Sequence, residues 1–236
     1  MVSNDPYVAI DAARHLHRAG QWDAALALLA EQPDASVAEM RAQILLDRYW
    51  WRLDSAVAAE AALDILTPDS LPAKYLYAQL AYLRILFNRD PQPGDARTVD
   101  TGFRAAAADQ SLRGWGTFWL AVVADNVDHD PVTATTRYAE ALKLCRQDGD
   151  LLLESYVVRH LGGHIIEQDR GEGEQLLRRS LHLRSALGAR PQVAAAQVTL
   201  ASELPDCPER ETLREAALST VDELGLTWLK GALADR

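Results

Sequence analysis

The sequence is poor in lysine and cysteine, and both shortages narrow the class of protein. Only three of the 24 basic residues are lysine: Lys74, Lys143 and Lys230. The preference for arginine, together with abundant alanine, is typical of a GC-rich bacterial coding sequence. Cys145 and Cys207 are too few to form the disulfide framework of a secreted domain of this size. We therefore expect two reduced thiols.

Long apolar runs and an excess of positive charge are also missing. The longest apolar run, 118–124, is too short to cross a bilayer, and the start of the chain lacks the basic and apolar regions of a signal peptide. The formal net charge is −10 and the pI is near 5, so phosphate backbones and anionic headgroups would repel the chain. These features predict a cytoplasmic, acidic protein that binds neither nucleic acid nor membranes.

Aromatic residues make up only 7% of the chain, whereas alanine and leucine are abundant, and this composition favours helices over sheets. The ten prolines fall at the edges of apolar-periodic segments, where a helix tolerates them. The segments between them predict helices near 7–19, 22–32, 36–50, 54–66, 72–88, 97–110, 113–127, 132–147, 151–168, 172–187, 191–203 and 208–224, with a short capping helix near 226–234.

The apolar pattern differs between alternate helices. Helices 22–32 and 132–147 repeat apolar residues at the i, i+3, i+4, i+7 spacing of a single buried stripe. Helices 72–88, 113–127 and 151–168 are instead apolar on nearly all sides, which indicates neighbours both before and after them. This alternation predicts a stack of helix pairs.

The segments recur at roughly 34 residues, and three of them carry motif residues of one repeat family. In the fourth unit an aromatic in the first helix is followed by a small residue, an aromatic and a second small residue in the next, namely Phe118, Ala134, Tyr138 and Ala141-Leu142. The first unit contains Gly20-Gln-Trp22-Asp23-Ala-Ala25, and the fifth contains Leu161-Gly162. The chain resembles the tetratricopeptide-repeat (TPR) superfamily.

This resemblance implies an all-α fold, namely a right-handed α-solenoid of about six stacked antiparallel helix pairs plus a C-terminal capping helix, in a single domain over 1–236. It also implies a non-enzymatic module that holds a protein or peptide in a concave groove. In the TPR register, Trp119 and Asn126 of the fourth unit and Tyr156, Arg159 and Glu167 of the fifth lie on the concave side. We predict that these five residues bind the partner.

Signatures of common enzymes are missing from the chain. It has no phosphate-loop lysine motif, no Gly-x-Ser-x-Gly elbow and no His-Glu-x-x-His, and the stretch 171–176 lacks the third glycine of a dinucleotide fingerprint. We therefore expect no catalytic residues and no cofactor. A ligand-sensing regulatory helical-repeat protein is the alternative among binding functions.

His160, His164 and Glu167 form the one arrangement that resembles a metal site. Their i, i+4, i+7 spacing places imidazoles and a carboxylate on one helix face, and these groups are possible ligands of zinc or iron. Three ligands on one helix would hold a metal weakly, and no second motif completes the shell. Hydrogen bonding of both histidines inside the groove is the favoured interpretation, and a metal-dependent enzyme is the alternative.

Adjacent Trp50 and Trp51 cannot both point inward from one helix, so one of them is expected at the surface, under a loop or at an interface. A solenoid also leaves an apolar face at each end unless a further segment covers it. The segment 226–233, with Trp228 and Leu229, is a possible cap. These features make a homodimer a possible assembly.

Overall fold

Helix is the only regular secondary structure in the described residues, 6–29 and 34–234, of the computed structural model. The helical share is 79%, against about one third in ordinary globular proteins, so the all-α prediction is confirmed. The described helices are α1 (Pro6–Arg18), α2 (Trp22–Leu28), α3 (Ala35–Arg52), α4 (Val57–Leu63), α5 (Leu71–Phe87), α6 (Asp95–Ala108), α7 (Arg113–Asn126), α8 (Pro131–Asp148), α9 (Leu151–Ile165), α10 (Arg170–Ala186), α11 (Arg190–Glu203), α12 (Pro208–Leu224) and α13 (Thr227–Ala234). They agree with six pairs and a final helix; the predicted end of the second helix, 30–32, lies outside the described residues.

The boundaries follow from local capping chemistry, most clearly around α8. Asp130 accepts a hydrogen bond from the backbone N–H of Thr133 at 3.0 Å, and Pro131 occupies the first turn, where its missing N–H costs nothing. Gly149 ends α8 with a φ of 69°, a left-handed conformation that glycine adopts readily. Asp150 then caps α9 by accepting from Leu153 N–H at 2.9 Å. A two-residue connection of this kind makes the helices on either side antiparallel neighbours.

The chain divides into two compact units, each described here by itself. Unit 1 comprises 1–68 and 184–236, so it contains both ends of the chain. Its apolar core combines α1, α2 and α3 with α11, α12 and α13. Its core side chains include Trp22, Leu29, Ile44 and Trp51 from the first helices, together with Leu224, Leu226 and Leu229 from the last part of the chain.

Helix α13 is present as predicted, and its contacts reach beyond the helix pair that precedes it. It packs on α3 as well as on α11 and α12. The indole of Trp228 stacks on that of Trp51 with ring centroids 5.5 Å apart, and Trp51 is only 6% exposed. Trp50 is half-buried at the edge of the same core. The Trp50-Trp51 pair is thus covered within unit 1 and no longer argues for a dimer.

Unit 2 comprises 69–183 and contains α5 to α9 with most of α10. The TPR-like residues of the fourth unit all lie in its core, since Phe118, Ala134, Tyr138 and Ala141 are each at most 2% exposed. Small residues allow close helix contacts, as predicted: a Cβ added to Gly116 of α7 would lie 2.2 Å from the backbone nitrogen of Ala107. Between α9 and α10, a Cβ on Gly162 would lie 3.0 Å from the carbonyl oxygen of Gly173.

Two further predictions can be compared with the structure. Cys145 and Cys207 are both free thiols. Over the ranges 6–29 and 34–234, no helix combines the length and the apolar character that a membrane span requires.

Candidate functional site

Unit 2 presents one surface rich in aromatic and polar side chains, formed by α5, α7 and α9. These are the first helices of its three helix pairs, and we call this surface the first-helix face. Helix α7 lies between the other two, with side-chain hydrogen bonds to α5 and ring contacts to α9. Most of its side chains are half-buried, so they are packed in place and yet reach solvent.

Two tyrosines of α5 hold the α7 side of this face. Trp119 Nε1 donates a hydrogen bond to the Tyr75 hydroxyl at 3.0 Å, and Asn126 Nδ2 donates to the Tyr82 hydroxyl at 2.7 Å. Trp119 also stacks on Phe103 of α6, with ring centroids 5.3 Å apart and planes 9° from parallel. The Trp119 indole therefore contributes to the packing of unit 2 as well as to the first-helix face. Asn126 is exposed, so its amide oxygen is accessible at the end of α7.

Aromatic contacts join α7 to α9. The ring of Tyr156 packs edge-on against Trp115 at 5.6 Å and against Phe118 at 5.7 Å. Asp150, the residue that caps α9, accepts from Trp115 Nε1 at 2.8 Å through its second oxygen. The cap of one helix thereby fixes the indole of the other, and the aromatic rings are held rigidly. Rigid aromatic side chains are the usual anchors of protein interfaces.

Asp125 lies at the centre of a hydrogen-bonded cluster beside these rings. Its Oδ2 accepts from the Tyr138 hydroxyl at 3.1 Å and is 3.0 Å from His164 Nε2 and 3.7 Å from His160 Nδ1. The His160 ring stacks on Tyr138 with centroids 4.9 Å apart. The cluster therefore joins α7, α8 and α9 through one carboxylate oxygen.

The surroundings of the cluster shift the pKa values of Asp125 and Tyr138 in opposite directions. Burial alone would raise the pKa of Asp125, but the neighbouring His160 and His164 imidazoles and the Tyr138 hydroxyl outweigh it and lower the pKa to about 2. Burial raises the pKa of Tyr138 far above its ordinary value, and the Asp125 charge adds to this rise. The charge of Arg159 opposes the rise for Tyr138 and also for Tyr82. Burial lowers the pKa of Arg159 itself, and electrostatic interactions with Tyr138, Tyr156 and Asp125 oppose that shift.

The structure brings together four of the five residues predicted to bind a partner. Trp119, Asn126, Tyr156 and Arg159 all lie on the first-helix face, on α7 and α9. Glu167 lies outside both helices. Helix α9 ends at Ile165, and Glu167 is exposed in the turn that follows. It makes no hydrogen bond or ion pair with any described residue. The contribution of each of the five to binding stays a prediction.

The end of α9 at Ile165 also affects the metal site considered from the sequence, His160, His164 and Glu167. With Glu167 off the helix, its carboxylate no longer follows His160 and His164 along one face, and both histidines lie near Asp125 instead. Within the part of the chain that the structure describes, no group of three or more histidine, cysteine or acidic residues is arranged to hold a metal ion. Both histidines instead lie within hydrogen-bond distance of other side chains of unit 2, His160 of Tyr138 and His164 of Asp125.

Asp125 is the member of the cluster that sequence reasoning missed. Its only signal is a carboxylate within the otherwise apolar stretch 113–127, beside the predicted Asn126. Tyr75 and Tyr82 stand out in the sequence only as members of a larger set of aromatic residues, although their spacing of seven matches that of Trp119 and Asn126. That shared spacing is the signal that two helices face each other over two turns.

A cavity of about 220 Å³ lies elsewhere in unit 2. Apolar side chains of α6 and α7, including Val99, Leu120 and Val123, line it, and Arg104 and Arg137 belong to its wall. None of the predicted partner-binding residues lines this cavity. The first-helix face and this cavity are therefore separate features of unit 2.

Comparison with known proteins bears on the fold. No family model and no curated protein matches the chain. Among solved structures, the signal transduction ATPase with numerous domains (STAND) protein with a tetratricopeptide repeat sensor from Pyrococcus horikoshii is similar, with a TM-score of 0.51 and 14% identity. The match covers 99% of this chain but only 41% of that one. At this identity the similarity shows the fold alone, and the chain has the TPR-like helical-repeat fold that the sequence predicted.

Proposed function

We propose that the chain is a non-enzymatic, cytoplasmic interaction module that binds a peptide segment of a protein partner on the first-helix face. The observation that carries this proposal is the gathering of Trp119, Asn126, Tyr156 and Arg159 on adjacent first helices of one helical-repeat unit. Helical repeats use such extended faces for recognition. The half-buried aromatic rings supply anchors of low conformational entropy, while Asn126 supplies hydrogen-bonding groups for a peptide backbone.

Arg159 supplies the charge that selects among peptides. Its guanidinium interacts electrostatically with Asp125, whose carboxylate Oδ2 already has the Tyr138 hydroxyl and His164 Nε2 within hydrogen-bond distance. Because Oδ2 of Asp125 is already engaged by these groups, we take Arg159 as the cation that a ligand on α9 would meet. A guanidinium binds carboxylates through charge-assisted hydrogen bonds. We therefore propose a partner segment that carries an acidic side chain or a terminal carboxylate near Arg159.

A sensing role is the second candidate. The solved structure that resembles this chain carries its helical repeat as the sensor of a larger signalling ATPase. By analogy, the first-helix face would bind a ligand and transmit its presence to another protein or domain. The two candidates share the binding surface and differ in the consequence of binding. An effect of the bound peptide on the assembly of a second protein would favour the sensor.

The binding test uses the full chain and a displayed library of twelve-residue random peptides. Peptides are selected on the unmodified protein and counter-selected on the Arg159→Ala variant. The proposal expects a selected peptide to shift backbone amide signals of α5, α7 and α9 in a ¹H–¹⁵N NMR titration. Shifts confined to the α6–α8 cavity or to unit 1, or a library that yields no binder, would overturn it.

A homodimer stays a possible assembly and is a separate claim. Sedimentation equilibrium measures it directly, and a strict monomer at high concentration would remove it. Its remaining motivation is the set of exposed apolar side chains, such as Val57 and Ile65 of unit 1, which are 70% and 74% exposed.

A further inference from the structure

The side chain of His160 contacts both Tyr138 and Arg159, and simple donor counting fixes how it does so. Arg159 Nη2 lies 3.5 Å from His160 Nε2. A guanidinium has no acceptor, so the imidazole must accept at Nε2. The proton of a neutral imidazole that accepts at Nε2 is carried by Nδ1.

The proton on His160 Nδ1 then determines the direction of the two remaining hydrogen bonds. His160 Nδ1 is 3.0 Å from the Tyr138 hydroxyl, so its N–H donates to that oxygen. The single hydroxyl proton of Tyr138 is thereby directed to Asp125 Oδ2, at 3.1 Å. Every donor in this chain meets an acceptor, and the chain runs from the Arg159 guanidinium to the ionised Asp125 carboxylate. In the other neutral tautomer of His160, the Nε2 proton would face the Arg159 guanidinium, which is also a donor.

We infer that His160 is a positioning residue for Arg159, which it holds at the first-helix face through the chain Arg159 to His160 to Tyr138 to Asp125. The inference rests on the proposed function, because Arg159 is the group taken to meet the partner. Stacking against Tyr138 at 4.9 Å and edge contact with Phe118 at 5.6 Å fix the imidazole plane. A fixed ring gives the long side chain of Arg159 a fixed acceptor, which reduces the conformational entropy lost on binding.

His164 provides a built-in contrast. It lies one turn further along α9 and contacts the same Asp125 oxygen, at 3.0 Å. None of the three hydrogen bonds from Arg159 to Asp125 involves His164, so its loss removes one contact of the carboxylate while that chain stays intact. The two histidines of α9 therefore differ in whether they contact Arg159, and the effect of that contact on Arg159 can be measured.

The experiment observes Arg159 in the whole 236-residue chain without any ligand. The side-chain Nε–Hε signal of Arg159 is assigned by its disappearance in the Arg159→Lys variant, and its steady-state heteronuclear NOE reports the order of the guanidinium. We expect loss of that order in His160→Ala and in Tyr138→Phe, which keeps the ring and removes only the hydroxyl. Order should be retained in His160→Gln, whose amide oxygen can accept at the same place, and in the control His164→Gln.

Each outcome decides the inference. Unchanged order in both Tyr138→Phe and His160→Ala would overturn it, as would equal loss in His164→Gln, since the effect would then be general loosening of unit 2. Because the signal comes from the free protein, a positioning role for His160 holds or fails whether or not any peptide binds. A failure to find a peptide ligand would instead count against the proposed function.

Discussion

Replacing Asp125 with asparagine tests the electrostatic account of the first-helix face. Asparagine has nearly the shape of the protonated acid, so the exchange removes the charge and little volume. The pKa of Asp125 is lowered from its ordinary 3.8 to about 2, and one pKa unit corresponds to about 1.4 kcal/mol. Its side chain is 20% exposed, so solvent screens it only in part. We expect Asp125→Asn to lower the free energy of unfolding by about 2 kcal/mol at pH 7.

The pH dependence follows from the direction of the shift. The folded pKa lies below the unfolded value, so the stabilisation is complete above about pH 4 and is lost as the pH falls toward about 2. Urea unfolding of both proteins from pH 7 to pH 2 measures this, with fluorescence and circular dichroism checked for coincident transitions. The exposed Asp128 offers the control Asp128→Asn. Equal stabilities of wild type and Asp125→Asn at pH 7 would refute the reasoning.

Three further predictions concern packing and metal. Phe118→Ala removes a side chain that is 2% exposed and should cost about 3 to 5 kcal/mol in urea unfolding, whereas Val132→Ala, at 75% exposure, should stay within about 0.5 kcal/mol. Leu229→Ala of α13 should lower the stability of unit 1 by about 2 to 5 kcal/mol, and native-state hydrogen exchange should show the loss in α3 as well as α12; a loss limited to α13 would contradict the shared core. Zinc should leave the melting temperature of wild type and of His164→Ala unchanged, and a zinc-dependent rise that His164→Ala abolishes would restore the metal site.

The fold was predictable because its determinants are local. Proline at the start of α8 and glycine at its end can be read directly from the sequence, and the alternation of amphipathic and fully apolar helices indicates which ones have neighbours on two sides. Small residues at 134 and 141 mark where the two helices of a pair approach. Each of these signals lies within about 30 residues, so none needs knowledge of distant contacts.

The site was predictable only in part, since its chemistry depends on contacts across helices. The TPR register assigned Trp119 to the fourth unit and Arg159 to the fifth, and in the structure they lie on α7 and α9; their predicted role in binding stays a prediction. The pairing of Asp125 with His164 spans 39 positions and has no counterpart in local periodicity. Glu167 was predicted to lie within a helix that reached 168, whereas α9 ends at Ile165, next to the point where a Cβ on Gly173 would lie 2.6 Å from Ile166 Cα. Similarly, the contact of α13 with α3 joins the two ends of the chain, which no repeat pattern specifies.

Isothermal titration of one selected peptide against three proteins tests the central claim, that the first-helix face binds the partner through Arg159. The proteins are wild type, Arg159→Ala and the control Arg104→Ala, which removes an exposed arginine of α6 whose ion pair is with Asp100 on the same helix. The account predicts that Arg159→Ala weakens binding by about 1 to 3 kcal/mol with a smaller loss of stability, while Arg104→Ala binds as wild type. Unchanged affinity of Arg159→Ala together with a large fall in its melting temperature would contradict the claim, because Arg159 would then be structural and the binding surface would lie on another face.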